Sequence, residues 1–259
     1  MDESSLRGAL DGLPVPVLQY FDTTGSTNTV ALDWLSSGAP DGALVMADTQ
    51  TAGRGRMDRR WITHPGAGLA FSLCLKPSPA EQGFLNLYSP LGAVALSSAL
   101  EEQYGLVSEI KWPNDVLLQR QKVCGILVEA AWLGSQLQGV VLGMGINVTP
   151  ESVPQTEDLL YPATSVESIL NRPVDRTALL RAVVEKIFTW RPWLGKTEFF
   201  TYWESRLAFC GEWVRIEQAG QGAIFGQVRG IGPNGDLILE LPGGQEQRIT
   251  VGDVHLRQA

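Results

Sequence analysis

Lys111-Trp112-Pro113-Asn114-Asp115-Val116-Leu117-Leu118-Gln119-Arg120-Gln121-Lys122-Val123-Cys124-Gly125-Ile126-Leu127-Val128-Glu129 is the stretch on which the fold turns. Strand-like apolar runs cover residues 106–111, 115–119, 123–131 and 137–148. Pro113 separates the first two, and Gln119-Arg120-Gln121 separates the next two. Short aliphatic runs bounded by turn residues read as neighbouring strands, so this is a β-meander. Its polar residues, Lys111, Asn114, Asp115 and Lys122, fall at the turns.

Upstream, residues 68–76 alternate Leu69, Phe71, Leu73 and Leu75 with Ala70, Ser72, Cys74 and Lys76, the period of a strand. Residues 42–49 read as another strand. A helix begins at Ser26 or Thr27, carries Val30, Ala31, Trp34 and Leu35, and closes at Gly38. Ser89-Pro90 starts a second helix that runs to Gly105. Pro14 and Pro16 make residues 1–20 an extended lead-in. Downstream, residues 164–208 are helical, with Leu179, Leu180, Val183, Val184, Ile187 and Phe188 as a core stripe. After Cys210, short runs separated by Pro233-Asn234-Gly235-Asp236 and Pro242-Gly243-Gly244 predict a small β-barrel. The expected architecture is α+β over 1–209, followed by a barrel over 210–259.

Composition narrows the function. The 259 residues are 44% hydrophobic and 19% charged, which supplies a core and excludes disorder. A net charge of -8 repels nucleic acid, so any anion site must be a local cluster. Cys74, Cys124 and Cys210 show no paired spacing, and only His64 and His255 are present. Disulfides and a histidine-rich metal site are therefore not expected, and His64 reads as a loop residue. No apolar stretch approaches membrane-spanning length, and Met1-Asp2-Glu3 does not open a signal peptide. A soluble, cytoplasmic protein without a membrane contact is expected.

Arg54, Arg56, Arg59 and Arg60 interleave with Gly53 and Gly55. Glycine lets backbone approach a ligand, and guanidinium groups pair with phosphate or carboxylate. The loop reads as an anion-binding lid, with a solvated basic turn as the alternative. No phosphate-binding P-loop is present, and Gly143-x-Gly145 lacks the third glycine of a dinucleotide site. Taken alone, Lys111 and Lys122 read as strand-end lysines with their amines in water. Asn114 and Asp115 read as turn residues, and Ser26, Thr27 and Asn28 as helix caps.

In order, however, Gly25-Ser26-Thr27-Asn28, Thr51-Ala52-Gly53-Arg54-Gly55-Arg56 with Trp61, Lys111-Trp112-Pro113-Asn114-Asp115, Lys122-x-x-Gly125-Ile126-Leu127-Val128-Glu129 and Gly143-Met144-Gly145-Ile146-Asn147-Val148 resemble the biotin–protein ligase family. The resemblance runs from about residue 20 onward and implies a class II synthetase-like catalytic domain. That domain has a mixed β-sheet and flanking helices, and an SH3-like barrel follows it. Two departures stand out. Asp58 replaces a frequent glycine in the arginine loop, and Cys124 replaces a small apolar residue and reads as a buried, inert thiol. A DNA-binding reader, common in bacterial members, has no room before Gly25, so no nucleic-acid partner is expected.

The resemblance implies ATP and Mg2+ as cofactors, biotin as substrate and a biotin carboxyl carrier domain as acceptor; a homodimer is compatible with it. Biotinyl-5′-AMP forms first and then biotinylates a lysine. The catalytic residues implied are Lys122, Arg54 and Arg56. The biotin residues implied are Ser26, Thr27, Asn28, Gln50, Gly53, Arg54, Gly55, Arg56, Lys122 and Gly125. ATP is assigned to Arg56, Arg59, Trp61, Lys111, Asn114 and Asn147, and the metal to Asp115. The rival readings are a lipoate–protein ligase or octanoyltransferase, a non-catalytic biotin-responsive regulator and a plain anion-binding module.

Overall fold

A computed structural model describes residues 1–57, 59–154, 161–218, 222–250 and 252–256, without the side chains of 255 and 256. Asp58 lies outside the described residues. The chain opens with α1 (Glu3–Ala9), β1 (Leu18–Thr24), α2 (Thr27–Ser36), β2 (Leu44–Gln50) and β3 (Gly68–Leu75). Next come α3 (Tyr88–Tyr104) and the meander β4 (Glu109–Lys111), β5 (Asp115–Leu118), β6 (Gln121–Leu133) and β7 (Gln136–Asn147). Helices α4 (Val166–Leu170), α5 (Arg176–Trp190) and α6 (Thr197–Ser205) lead into β8 (Trp213–Glu217), β9 (Ala223–Ile231), β10 (Leu237–Glu240), β11 (Glu246–Ile249) and β12 (Asp253–Leu256).

The first sheet has the order β1-β2-β3-β7-β6-β5-β4. It is mixed, because β1 runs parallel to β2 while its other pairings are antiparallel. The expected meander is present, and its last strand docks onto β3. The second sheet, β11-β10-β9-β8-β12, is wholly antiparallel, in keeping with the SH3-like expectation.

Period-2 alternation decides what each face of the large sheet does. Leu69, Phe71, Leu73, Ile126, Leu142 and Met144 bury into the main core, against α3 and α5. On the opposite face, Val45, Cys74, Ala131 and Val141 pack beneath Ala31 and Leu35 of α2. That second face also carries Ser72, Gly125, Gly143, Gly145 and Asn147, where apolar side chains are missing.

The lead-in differs from expectation. Asp2 caps α1 by accepting from Ser5 N at 2.8 Å, and Leu6 is fully buried. Only tertiary burial reveals so short a helix, since a seven-residue segment is marginal by itself. The α5 stripe is buried as expected, and Asp175 caps its start. Among the described residues, one helical stretch, 82–104, is long and apolar enough to cross a membrane, and it lies mostly buried inside the protein.

Candidate active site

The bare patch on the α2 face is the floor of a cavity of about 340 Å³. Gly125 and Gly145 sit opposite each other in register on β6 and β7. A Cβ on Gly145 would stand 2.2 Å from the Trp61 ring, and one on Gly125 would stand 3.2 Å from the Lys122 amine. A Cβ on Gly143 would stand 1.9 Å from Asn28 Oδ1. Three strand glycines thus make room for a tryptophan, a lysine and an asparagine to lie against the sheet.

Lys122 Nζ is 2.6 Å from Asp115 Oδ1, and Lys111 Nζ is 3.5 Å from Asp115 Oδ2. Although burial alone would raise it, the Asp115 carboxyl is held below the usual carboxylate range by these two ammonium groups. Burial pushes the Lys111 amine down, against the pull of Asp115. The solvent-facing reading of Lys111 is therefore corrected: it is 6% exposed and its amine lies 5.1 Å from the centre of the Tyr161 ring. Both oxygens of Asp115 face cations, so this carboxylate does not fit a resident magnesium ion. Among the described residues, no group of three acidic, His or Cys side chains is placed to hold a metal.

At the start of α2, Gln50 Oε1 accepts from Thr27 N at 2.8 Å and from Thr27 Oγ1 at 3.1 Å. Among the described residues, Gln50 Nε2 and Ser26 Oγ have no hydrogen-bond partner, so both are available to a ligand. Asn28 is different. Its Nδ2 donates to Leu127 O at 3.1 Å and to Glu129 Oε2 at 2.8 Å, and its Oδ1 accepts from Ser72 Oγ at 2.6 Å. Its amide is spent on the protein, so it shapes the pocket wall. Asn147 Nδ2 likewise donates to Thr164 O at 3.1 Å.

The arginine loop closes one side. Arg54 and Arg60 pair through their backbones, and Trp61 N donates to Gly53 O at 3.0 Å. Arg54 ion-pairs with Glu129 at 2.7 Å, Arg59 with Asp253 of the second sheet, and Arg56 donates to Asn114 Oδ1 at 3.4 Å. Gly53 alone among the expected site residues lies outside the cavity wall, against the Trp61 carbonyl. Ser72 and Asp253 were not singled out from sequence, and Gly143, Gly145 and Glu129 were noted within motifs without a role in the site. A serine within an apolar strand and glycines spaced by two were the available signals; Asp253 gave none.

Six cations and two carboxylates line the cavity, an excess of four positive charges in a chain of net charge -8. Fixed cations on a glycine floor suit a polyanion beside a carboxylate. The family described as Biotin/lipoate A/B protein ligase matches residues 20–147, and Biotin protein ligase C terminal domain matches 209–257. A biotin–[acetyl-CoA-carboxylase] ligase of Mycobacterium tuberculosis is 34% identical over 266 residues, covering 99% of this chain and 96% of that protein. The chain belongs to the biotin protein ligase family. Like its family, the ligase attaches biotin to protein. The bifunctional ligase/repressor BirA of Bacillus subtilis is 34% identical to it over 92% of this chain and 74% of that protein. The biotin protein ligase of Aquifex aeolicus in complex with biotin and ATP superposes with a TM-score of 0.79 at 31% identity, over 94% of this chain and all of that one.

Proposed function

We propose that this cavity makes biotinyl-5′-AMP and hands the biotinyl group to a lysine of a biotin carboxyl carrier domain. The single observation that carries the reading is the excess of fixed cations around the Gly125–Gly145 floor. Biotin's ureido ring sits at the α2 end, where Ser26 Oγ and Gln50 Nε2 remain to bond it. Its carboxylate points to Lys122. ATP lies across Arg56, Arg59 and Lys111, with Trp61 and Asn147 toward adenine.

A carboxylate oxygen attacks the α-phosphorus and the bond to pyrophosphate breaks. Lys122 bridges the two anions as their repulsion peaks, a contact strongest in the transition state. Asp115 aims that ammonium without neutralising it, since Lys111 shares the same carboxylate. Magnesium is proposed to be held by the phosphates of ATP, Asp115 being taken up by the two lysines. Arg54, Gly55 and Arg56 then keep the loop over the mixed anhydride and water out. A neutral carrier lysine attacks the carbonyl, AMP leaves with its oxygen, and the amine gives up a proton.

Radiolabelled biotin or lipoate, supplied with ATP and a carrier domain, tests the assignment. Biotin-dependent ATP–pyrophosphate exchange followed by carrier labelling is expected. Exchange driven by lipoate instead would favour the lipoate reading. The domain division near residue 209, a homodimer and a cytoplasmic location go with the family reading; they are checked by limited proteolysis, light scattering and fractionation.

A further inference from the structure

We propose that Glu129 is a positioning residue that couples the biotin end of the site to the arginine loop, an inference that rests on the assignment of those two ends above. A single oxygen does the joining. Oε2 of Glu129 accepts from Asn28 Nδ2 at 2.8 Å and from Arg54 at 2.7 Å. Asn28 belongs to the first turn of α2, beside Thr27 and Gln50. Arg54 stands at the neck of the loop, where its backbone pairs with Arg60.

The Asn28 half of this link is rigid. Asn28 is 5% exposed, its second amide hydrogen goes to Leu127 O and its carbonyl takes the Ser72 hydroxyl. Its Oδ1 occupies the space that a Cβ on Gly143 would fill. No other orientation satisfies all three partners. The carboxylate on β6 is thereby fixed, and the Arg54 guanidinium is offered one defined partner. The Arg54 half alone would carry little, because that guanidinium is 42% exposed and screened by solvent. Its value is the shared oxygen: the same fixed Asn28 that frames the biotin end of the site also sets the acceptor that holds the loop neck. Biotin occupancy and loop closure then rise together, as linked equilibria require.

The chemistry separates the variants. Glutamine keeps an acceptor for Asn28 but loses the charge that holds Arg54. Aspartate keeps the charge but is one methylene too short to reach both partners. The experiment measures the biotin KM in ATP–pyrophosphate exchange, the lifetime of retained biotinyl-5′-AMP and Tm. The proteins compared are wild type, Glu129→Gln, Glu129→Asp, Arg54→Gln and the Arg54→Gln/Glu129→Gln double variant.

We expect Glu129→Gln to raise the biotin KM about fivefold and shorten retention by a similar factor, the scale of one partly exposed charged hydrogen bond. The lowering of kcat should be smaller than the rise in KM. Arg54→Gln cuts the same link from its other end, so the double variant should lose little more than the worse single one. Losses that multiply in the double variant, or a Glu129→Gln protein with wild-type KM and retention, overturn the coupling. So does a loss of activity that merely follows a fall in Tm. If Glu129→Gln fails to fold, Arg54→Gln decides, because the coupling requires it to raise the biotin KM and not only to release adenylate. Wild-type protein without biotin-dependent exchange would instead sink the site assignment itself.

Discussion

Asp253 of the second sheet and Arg59 of the arginine loop form a direct ion pair although 194 residues separate them. Asp253 is 5% exposed and also lies 3.9 Å from Arg56. The small C-terminal sheet therefore contributes to the wall of the cavity. Asp253→Asn should leave Tm nearly unchanged and raise the KM for ATP roughly fivefold, the discount reflecting an Arg59 that is 44% exposed. A titration of exchange against ATP checks this; a wild-type KM would reduce the pair to a structural contact.

Lys122→Ala should lower adenylate formation by about two to three orders of magnitude, the usual cost of one aimed electrostatic group. The fold should survive, since Lys111 still faces Asp115. Exchange near the wild-type rate would remove Lys122 from the chemistry.

Gly145→Ala puts a methyl group into the Trp61 ring. Overpacking of this kind costs about 1–3 kcal/mol. The double variant Gly145→Ala/Trp61→Ala should regain most of the lost stability in thermal denaturation but not the lost activity. Stability that stays low in the double variant would mean that the clash is with something else.

Arg56→Ala should still form some adenylate but release it, so bystander lysines become labelled along with the carrier. Arg56→Lys should rescue only in part, because an ammonium cannot make the paired contact. Retention and selectivity equal to wild type would leave the loop a solvated turn.

Burial pushes the Cys74 thiol up to about 12 and the Cys124 thiol higher still, while Cys210 is exposed. A thiolate is the reactive form, so at pH 8 both buried thiols remain protonated and inert. A disulfide reagent should titrate one thiol in the native protein and three in denaturant. Three fast-reacting thiols in the native protein would contradict the packing of β3 and β6.

Much of this was legible in the residues. The meander could be read because Pro113 and Gln119-Arg120-Gln121 interrupt aliphatic runs, and local breaks are what sequence reports best. The arginine loop and Lys122 were found through their order along the chain, and they converge on one cavity. Taken alone, Lys111 read as solvent-facing because an amine's burial depends on Tyr161 and Asp115, brought to it by folding. Helix α1 was missed because Leu6 acquires its partners only from the folded core. Gly143 and Gly145 were weighed as a nucleotide fingerprint. Their true signal was a spacing of two, which places both on one face of a strand.

The Arg59–Asp253 pair also has a consequence for how the enzyme comes into being. A ribosome that has just made Arg59 must add 194 more residues before its counter-charge exists, whereas the partner of Arg54 follows it by 75. Until then Arg59 lacks its carboxylate, while Arg54 already has Glu129 and the two lysines already have Asp115. Synthesis therefore orders assembly: the strands that hold Arg54 at the neck of the loop precede the strand that steadies its far end at Arg59.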